Sequence, residues 1–174
     1  VPSGDLKYCR ATGNGENGGQ TRIRWEADDL LTCASIERRV VVILAARTAE
    51  HLLIGDATIG SGGDKDSDLA QATQLIATLH ASTGLGDTLV YLASIEDTLI
   101  AVRNDRELRS KVEQHLQILQ TRASHLVCRH SRAILAVAEQ LKLRRHLVGQ
   151  EIRRIVEATP TGCADGVSPD ESER

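Results

Sequence analysis

Gly60-Ser-Gly-Gly-Asp-Lys-Asp-Ser-Asp-Leu-Ala-Gln-Ala-Thr73 joins a glycine-rich loop to the start of a helix. Asp66 and Ser67 are capping residues by type, and Asp68 falls in the first turn. Leu69, Ala72, Ile76 and Leu79 recur at helical spacing, so an amphipathic helix is expected over about Asp66 to Ser82, with Gly84 as its stop. The helix dipole favours acids in a first turn and tends to hold them ionised. On residues alone Asp68 is an ordinary first-turn acid beside Asp66, and Asp64 and Asp66 are solvated loop or cap residues. Gly60-Ser-Gly-Gly63 before a helix suggests a phosphate cradle, but it lacks the G-K-[ST] ending and the acids that follow would repel phosphate.

Upstream, Asp28 or Asp29 can cap a long helix that ends near Ile54 with Gly55 as its stop; a shorter helix from near Thr32 fits as well. Ile36, Val40 and Ile43 form one stripe, while Val41, Leu44 and Leu52 fall on another side, so this helix is central and buried. Arg47 and Glu50 continue the first stripe and are expected to pair or to bond backbone carbonyls. Before it, Leu6-Lys-Tyr-Cys-Arg10 and Thr21-Arg-Ile-Arg-Trp25 alternate in polarity around Asn-Gly turn signals, the pattern of a β-hairpin.

Downstream, residues 87–103 give no firm assignment. Asn104-Asp-Arg-Glu107 resembles a capping box opening a long helix with Leu108, Val112, Leu116, Leu119, Ala123 and Leu126 inward. Ser131 can cap a further helix with Ile134, Ala138 and Leu141 inward, and Gly149 precedes a short last helix carrying Ile152, Ile155 and Val156. The fold class is mainly α with a small N-terminal β element. Three regions are expected: a glycine-rich segment with a strand at 1–20, a helical domain at 21–157, and a disordered tail at 158–174.

The chain has 174 residues and a net charge of −3, a balance that implies neither nucleic acid nor an anionic membrane surface. The longest apolar run, Val40 to Ala46, is too short to span a bilayer, and no signal peptide is read at the polar start. Met and Phe are absent, so the core must be built from Leu, Ile, Val and Ala. Cys9, Cys33, Cys128 and Cys163 show no C-x-x-C spacing and are expected as free thiols in a reducing cytoplasm. His51 and His80 lack ligand spacing and read as surface or satisfied residues. His115, His125 and His130 do not align two rings on one helical turn and are not read as a metal site. Arg144-Arg-His146 with Arg153-Arg154 is a small basic cluster on a solvated face.

Ala45-Ala-Arg-Thr-Ala-Glu-His-Leu-Leu-Ile-Gly55, then Asp68-Leu-Ala-Gln-Ala-Thr73, then Thr83-Gly-Leu-Gly86 follow one another in an order and at a spacing that resemble the peptidase domain of the FtsH-type ATP-dependent zinc proteases. That family reads G-G-R-x-A-E-E-x-x-x-G, then T-G-A-x-x-D-L-x-x-A-T. The resemblance covers about residues 20 to 157. Here Ala45-Ala46 replace the glycine pair, and Glu50-His51 stand where the family has two acids.

The resemblance implies that Asp68 is the third zinc ligand of the intact parent, with Arg47 and Glu50 supporting it. The β element's free edge, with Ile23 and Trp25, is expected to be able to pair with an extended substrate. The H-E-x-x-H helix that supplies the other ligands and the catalytic glutamate is not in this sequence. In the parent, zinc-bound water would attack a peptide bond, a separate domain would use ATP, and an ATPase ring would make the protein a homo-oligomer acting on protein substrates. A membrane anchor would lie outside this chain, which would sit in, or face, the cytoplasm. The rival reading is a non-enzymatic helical module of the same fold that oligomerises or holds a partner.

Overall fold

The computed structural model describes residues 4–11, 19–25, 32–55 and 63–164. In chain order these hold β1 (Gly4–Ala11), β2 (Gly19–Trp25), α1 (Cys33–Ile54), α2 (Asp68–Ala81), α3 (Thr98–Asn104), α4 (Arg106–Arg144), β3 (His146–Val148) and α5 (Gly149–Ala158). The fold is mainly α with a small three-stranded antiparallel sheet, as the sequence pattern requires. Two compact units divide the chain, one within Leu30–Val127, the other within Val1–Asp29 and Cys128–Val167. No helix among the described residues is long and apolar enough to cross a membrane.

In the unit within Leu30–Val127, α1 takes the shorter of its two expected forms. Thr32 caps it, accepting from Ser35 N at 3.2 Å, while Ser35 Oγ accepts from Thr32 N at 2.9 Å. Gly55 closes it with φ 93°, its N–H donating to His51 O. Asp28 and Asp29 lie outside the described residues. Ser67, rather than Asp66, caps α2, its hydroxyl accepting from Ala70 N at 3.3 Å. Asp105 opens α4 by accepting from the amides of Glu107 and Leu108 at 2.8 and 3.0 Å.

The core joins Ile36, Val40, Val41 and Leu44 of α1, Ala72, Ile76, Ala77 and Leu79 of α2, and Leu108, Val112, Leu119 and Ala123 of α4. Among the described residues no Phe, Tyr or Trp contributes to it, and two faces of α1 are covered, as its doubled stripe demands. Two expected core positions are open: Leu69 and Leu126 are each 42% exposed, because each sits at the margin of its stripe. Thr48 is buried and tied on both sides, donating to Leu44 O and accepting from Gln120 Nε2, both at 2.8 Å. The stretch left unassigned by sequence, 87–103, is irregular up to Asp97, with Leu89 and Tyr91 exposed, before it turns into α3.

In the second unit, the sheet runs β2-β1-β3, all antiparallel. Leu6 pairs with Ile23 across the expected hairpin, and Tyr8, Cys9 and Arg10 pair with Val148, Leu147 and His146 on the other side. Strand β3 has no sequence signature, being three residues long. Arg145 sends the chain into it from α4 with φ 60°, a left-handed position usually left to glycine, and its carbonyl accepts from Ala11 N at 2.9 Å.

Two expectations are corrected here. Ser131 does not begin a helix: α4 runs through it unbroken, and its buried hydroxyl donates to Cys128 O at 2.8 Å within the helix. Cys128 and Cys163 are not free thiols but form a disulfide; Cys9 and Cys33 are free. Past α5, Gly162 N donates to Arg129 O and Ala164 N to Ser131 Oγ; residues 165–174 of the expected tail lie outside the described residues.

Gly149 has no room for a side chain: a Cβ there would sit 1.8 Å from Leu6 O of β1. Gly55 has open space around its own Cβ position and only its positive φ to defend. Urea unfolding should therefore rank the two. Gly149→Ala is expected to cost about 2 kcal/mol or more, since backbone must move, and Gly55→Ala about 1 kcal/mol. Equal costs would contradict the close approach of α5 to β1.

Candidate functional site

Asp68 is the first residue of α2, set there by the Ser67 cap, whose N–H and hydroxyl both donate to Asp64 O. The site thus starts from a tight turn over Asp64–Ser67 followed by a carboxylate whose direction the helix fixes. Asp68 is half-buried. The dipole does not govern its charge: burial first, and then the negative charge of Glu50, hold its carboxyl above the ordinary aspartate range. Glu50 is thus near enough, from the last turns of α1, to repel it. Arg47, three residues before Glu50, lines a groove of about 410 Å³ together with Leu44, His51, Leu69, Glu113 and Gln120. A second hollow of about 340 Å³ takes Asp64, Ser67, Leu69 and Thr73 of the turn and α2 with Leu99 and Arg103.

The structure therefore brings Asp68, Glu50 and Arg47 to one end of the helix pair. Ile23 and Trp25 lie on β2 in the other unit, where β2 is the outer strand of the order β2-β1-β3 and Ile23 is half-buried. Asp64 and Asp66 are exposed, as a solvated turn would have them, and so is His51. Residues 60–62, the body of the glycine-rich loop, fall outside the described residues.

What sequence spacing did not show is a polar chain through the helical core. His80 Nε2 lies 3.0 Å from His115 Nδ1, and His115 Nε2 lies 3.2 Å from Glu37 Oε1. Cys33 Sγ donates to the same Glu37 oxygen at 3.4 Å. A carboxylate only accepts, so His115 Nε2 carries a hydrogen; with that ring neutral, its Nδ1 accepts from His80 Nε2. His80 Nδ1 remains an acceptor, against Gly86, whose added Cβ would lie 2.9 Å away. His80 is 8% exposed. Burial lowers its pKa first and His115 adds to this, as Lys111 does; Asp87 opposes them. Burial, aided by Glu37, raises the Cys33 thiol. No sequence signal could have found this chain, because its members come from α1, α2 and α4 at unrelated spacings.

Zinc, which the family resemblance implies, is not fitted by these residues alone. The donors at the start of α2 are two mutually repelling carboxylates, and among the described residues no three His, Cys, Asp or Glu side chains gather in a way that could hold a metal ion.

The class defined so far is a mainly helical domain carrying a repelled carboxylate pair at a helix start. Known proteins place it more narrowly. The chain is 27% identical over 150 residues to the ATP-dependent zinc metalloprotease FtsH 2 of Symbiobacterium thermophilum, covering 83% of this chain and 25% of that protein. It is 29% identical over 136 residues to FtsH 1 of Sorangium cellulosum, covering 72% and 22%, and 30% identical over 132 residues to FtsH of Acidimicrobium ferrooxidans, covering 70% and 20%. Most of the chain is thus an FtsH-related region, and it spans a quarter or less of the length of these curated relatives. No protein-family model matches it.

Two measurements test the electrostatics. His80 has a folded pKa below its unfolded value near 6.5, so in acid the unfolded chain binds a proton that the folded chain excludes. Stability should be full above that pH and fall as pH drops through it, by at most about 1.4 kcal/mol per pH unit for one proton. His80→Gln should flatten the slope between about pH 6.5 and 5; an unchanged slope would assign it elsewhere. Asp68 is the opposite case. Its folded pKa is raised, so ionising it weakens the fold as pH rises, and Asp68→Asn should raise Tm at pH 7 with helix content unchanged. A lowered Tm would show that Asp68 supports the fold.

Proposed function

We propose that the chain is a portion of the peptidase region of an FtsH-like ATP-dependent zinc protease, degrading proteins in the intact parent. Asp68 contributes one carboxylate to a metal site whose other donors lie outside these residues. The observation that supports this best is the coincidence at Asp68. The residue that matches the family's D-L-x-x-A-T is also the one whose ionised form the fold disfavours. A carboxylate held against burial and a like charge is suited to a cation, which would reverse both penalties. Arg47 and Glu50 act on Asp68 from the end of α1. The β2 edge, with Ile23 and Trp25, is the surface proposed for an extended substrate. ATP use, a homo-oligomeric ring and any membrane anchor belong to the parent outside this chain, and no nucleic acid partner is proposed. The parent is placed in, or facing, the cytoplasm.

By itself the chain should not degrade casein or retain stoichiometric zinc after dialysis, because one carboxylate pair holds zinc poorly. In the complete parent, Asp68→Asn should remove zinc and activity together, while Asp64→Asn leaves both near wild type. Equal losses in the two variants, or full activity with Asp68→Asn, would remove the ligand assignment. A parent that forms its assembly but carries no other donors would favour the module without enzyme activity.

A further inference from the structure

We propose that the sulfur of Cys163 is a site of thiol–disulfide exchange, at which a dithiol reductant unties the segment Thr159–Ala164 from α4. Among the described residues three ties hold that segment to α4, all within one turn of the helix. Gly162 N donates to Arg129 O at 2.9 Å, Cys163 is bonded to Cys128, and Ala164 N donates to Ser131 Oγ at 2.7 Å. Only the middle tie is covalent, and the other two are formed by groups that the disulfide brings to the helix. Thr159 bonds back to α5, at Ile155 O and Val156 O, while further along Thr161 and Cys163 are exposed.

The two sulfurs differ in access, and this sets the chemistry. Cys128 is 1% exposed, whereas Cys163 is exposed. An incoming thiolate therefore reaches Sγ of Cys163. A new S–S bond forms there, the Cys128–Cys163 bond breaks, and its electron pair goes to Sγ of Cys128, which takes a proton. The second thiolate of the dithiol then displaces Cys163 as a thiol, leaving the reductant as its own disulfide. Two electrons pass from the dithiol to the protein. A buried sulfur is a poor leaving group because its thiolate is not solvated, so exchange is slow and confined to one sulfur. Cys9 and Cys33 take no part. Cys9 bonds Thr21 Oγ1 across the hairpin, and the Cys33 thiol is engaged by Glu37.

Once the bond is reduced, Gly162 and Ala164 lose the tether that presents their amides to Arg129 and Ser131. The segment leaves the helix, and the buried Ser131 hydroxyl and Cys128 thiol open to solvent. The released state is the one expected in a reducing compartment, the tied state in an oxidising one.

The test uses the full chain purified without reductant. Alkylation in denaturant should label Cys9 and Cys33 only. Native treatment with glutathione should place the adduct on Cys163, with Cys128 labelled only after unfolding. Hydrogen exchange at the Gly162 and Ala164 amides should speed up at least tenfold, both in dithiothreitol-reduced wild type and in Cys163→Ser, with far-UV circular dichroism unchanged. Four reactive thiols before any reduction, a glutathione adduct on Cys128, or unchanged protection after reduction would each overturn the proposal. Reduced wild type carries the test if Cys163→Ser fails to fold.

Discussion

Helix α1 has to be covered on more than one side, and the unit within Leu30–Val127 is built around that need. Ile36 and Val40 face one way, Val41 and Leu44 another, and all four are 5% exposed or less. Helices α2 and α4 meet the demand without any aromatic ring. Ala72, Ala77 and Ala123 are fully buried, and side chains that small let helices approach closely, so shape rather than bulk fills the interior. The polar ties follow the same geometry. Thr48 to Gln120 and Glu37 to His115 fasten α1 to α4, and His80 to His115 fastens α2 to α4. Each removes a polar group from the list that burial would otherwise penalise.

The two polar clusters of that unit are of opposite kinds. In the histidine chain every contact has a donor and an acceptor, and the group that is costly to charge stays neutral. At the start of α2 the Asp68 carboxyl meets burial and the negative charge of Glu50, and both raise its pKa. The first pattern is that of structure; the second is the one on which the proposed metal-ligand role of Asp68 rests. The contrast, more than burial or sequence position, separates Asp68 from the other first-turn acids.

Much of this was legible in sequence because it is local. Gly55, Ser67 and Asp105 end or begin helices through bonds to residues three or four positions away, and the stripes of α1, α2 and α4 follow from their periodicity. Asp68 was legible as a position, since its place in the turn is set by neighbours. Its charge state was not, because Glu50 arrives from another helix. Ser131 misled for a physical reason: a hydroxyl that can cap a helix can equally bond back into one, and only the distant segment that reaches it through Ala164 N decides. The disulfide, strand β3 and the His80–His115–Glu37 chain depend on residues far apart in sequence, where no spacing rule operates. The β1–β2 hairpin was readable from its alternation and turns; the partner on the other side of β1 was not.

That partner has a consequence for how the molecule comes into being. Tyr8 and Val148 pair across about 140 residues of chain, and Leu147 between them is wholly buried. During synthesis β1 and β2 emerge before β3 and wait, with one edge of β1 unsatisfied, until the residues between them have been made. The helical unit between them can complete its own core in that interval, since its contacts are shorter in range. The sheet thus closes after the helical unit, and until then the hairpin is exposed to pairing with the wrong strand.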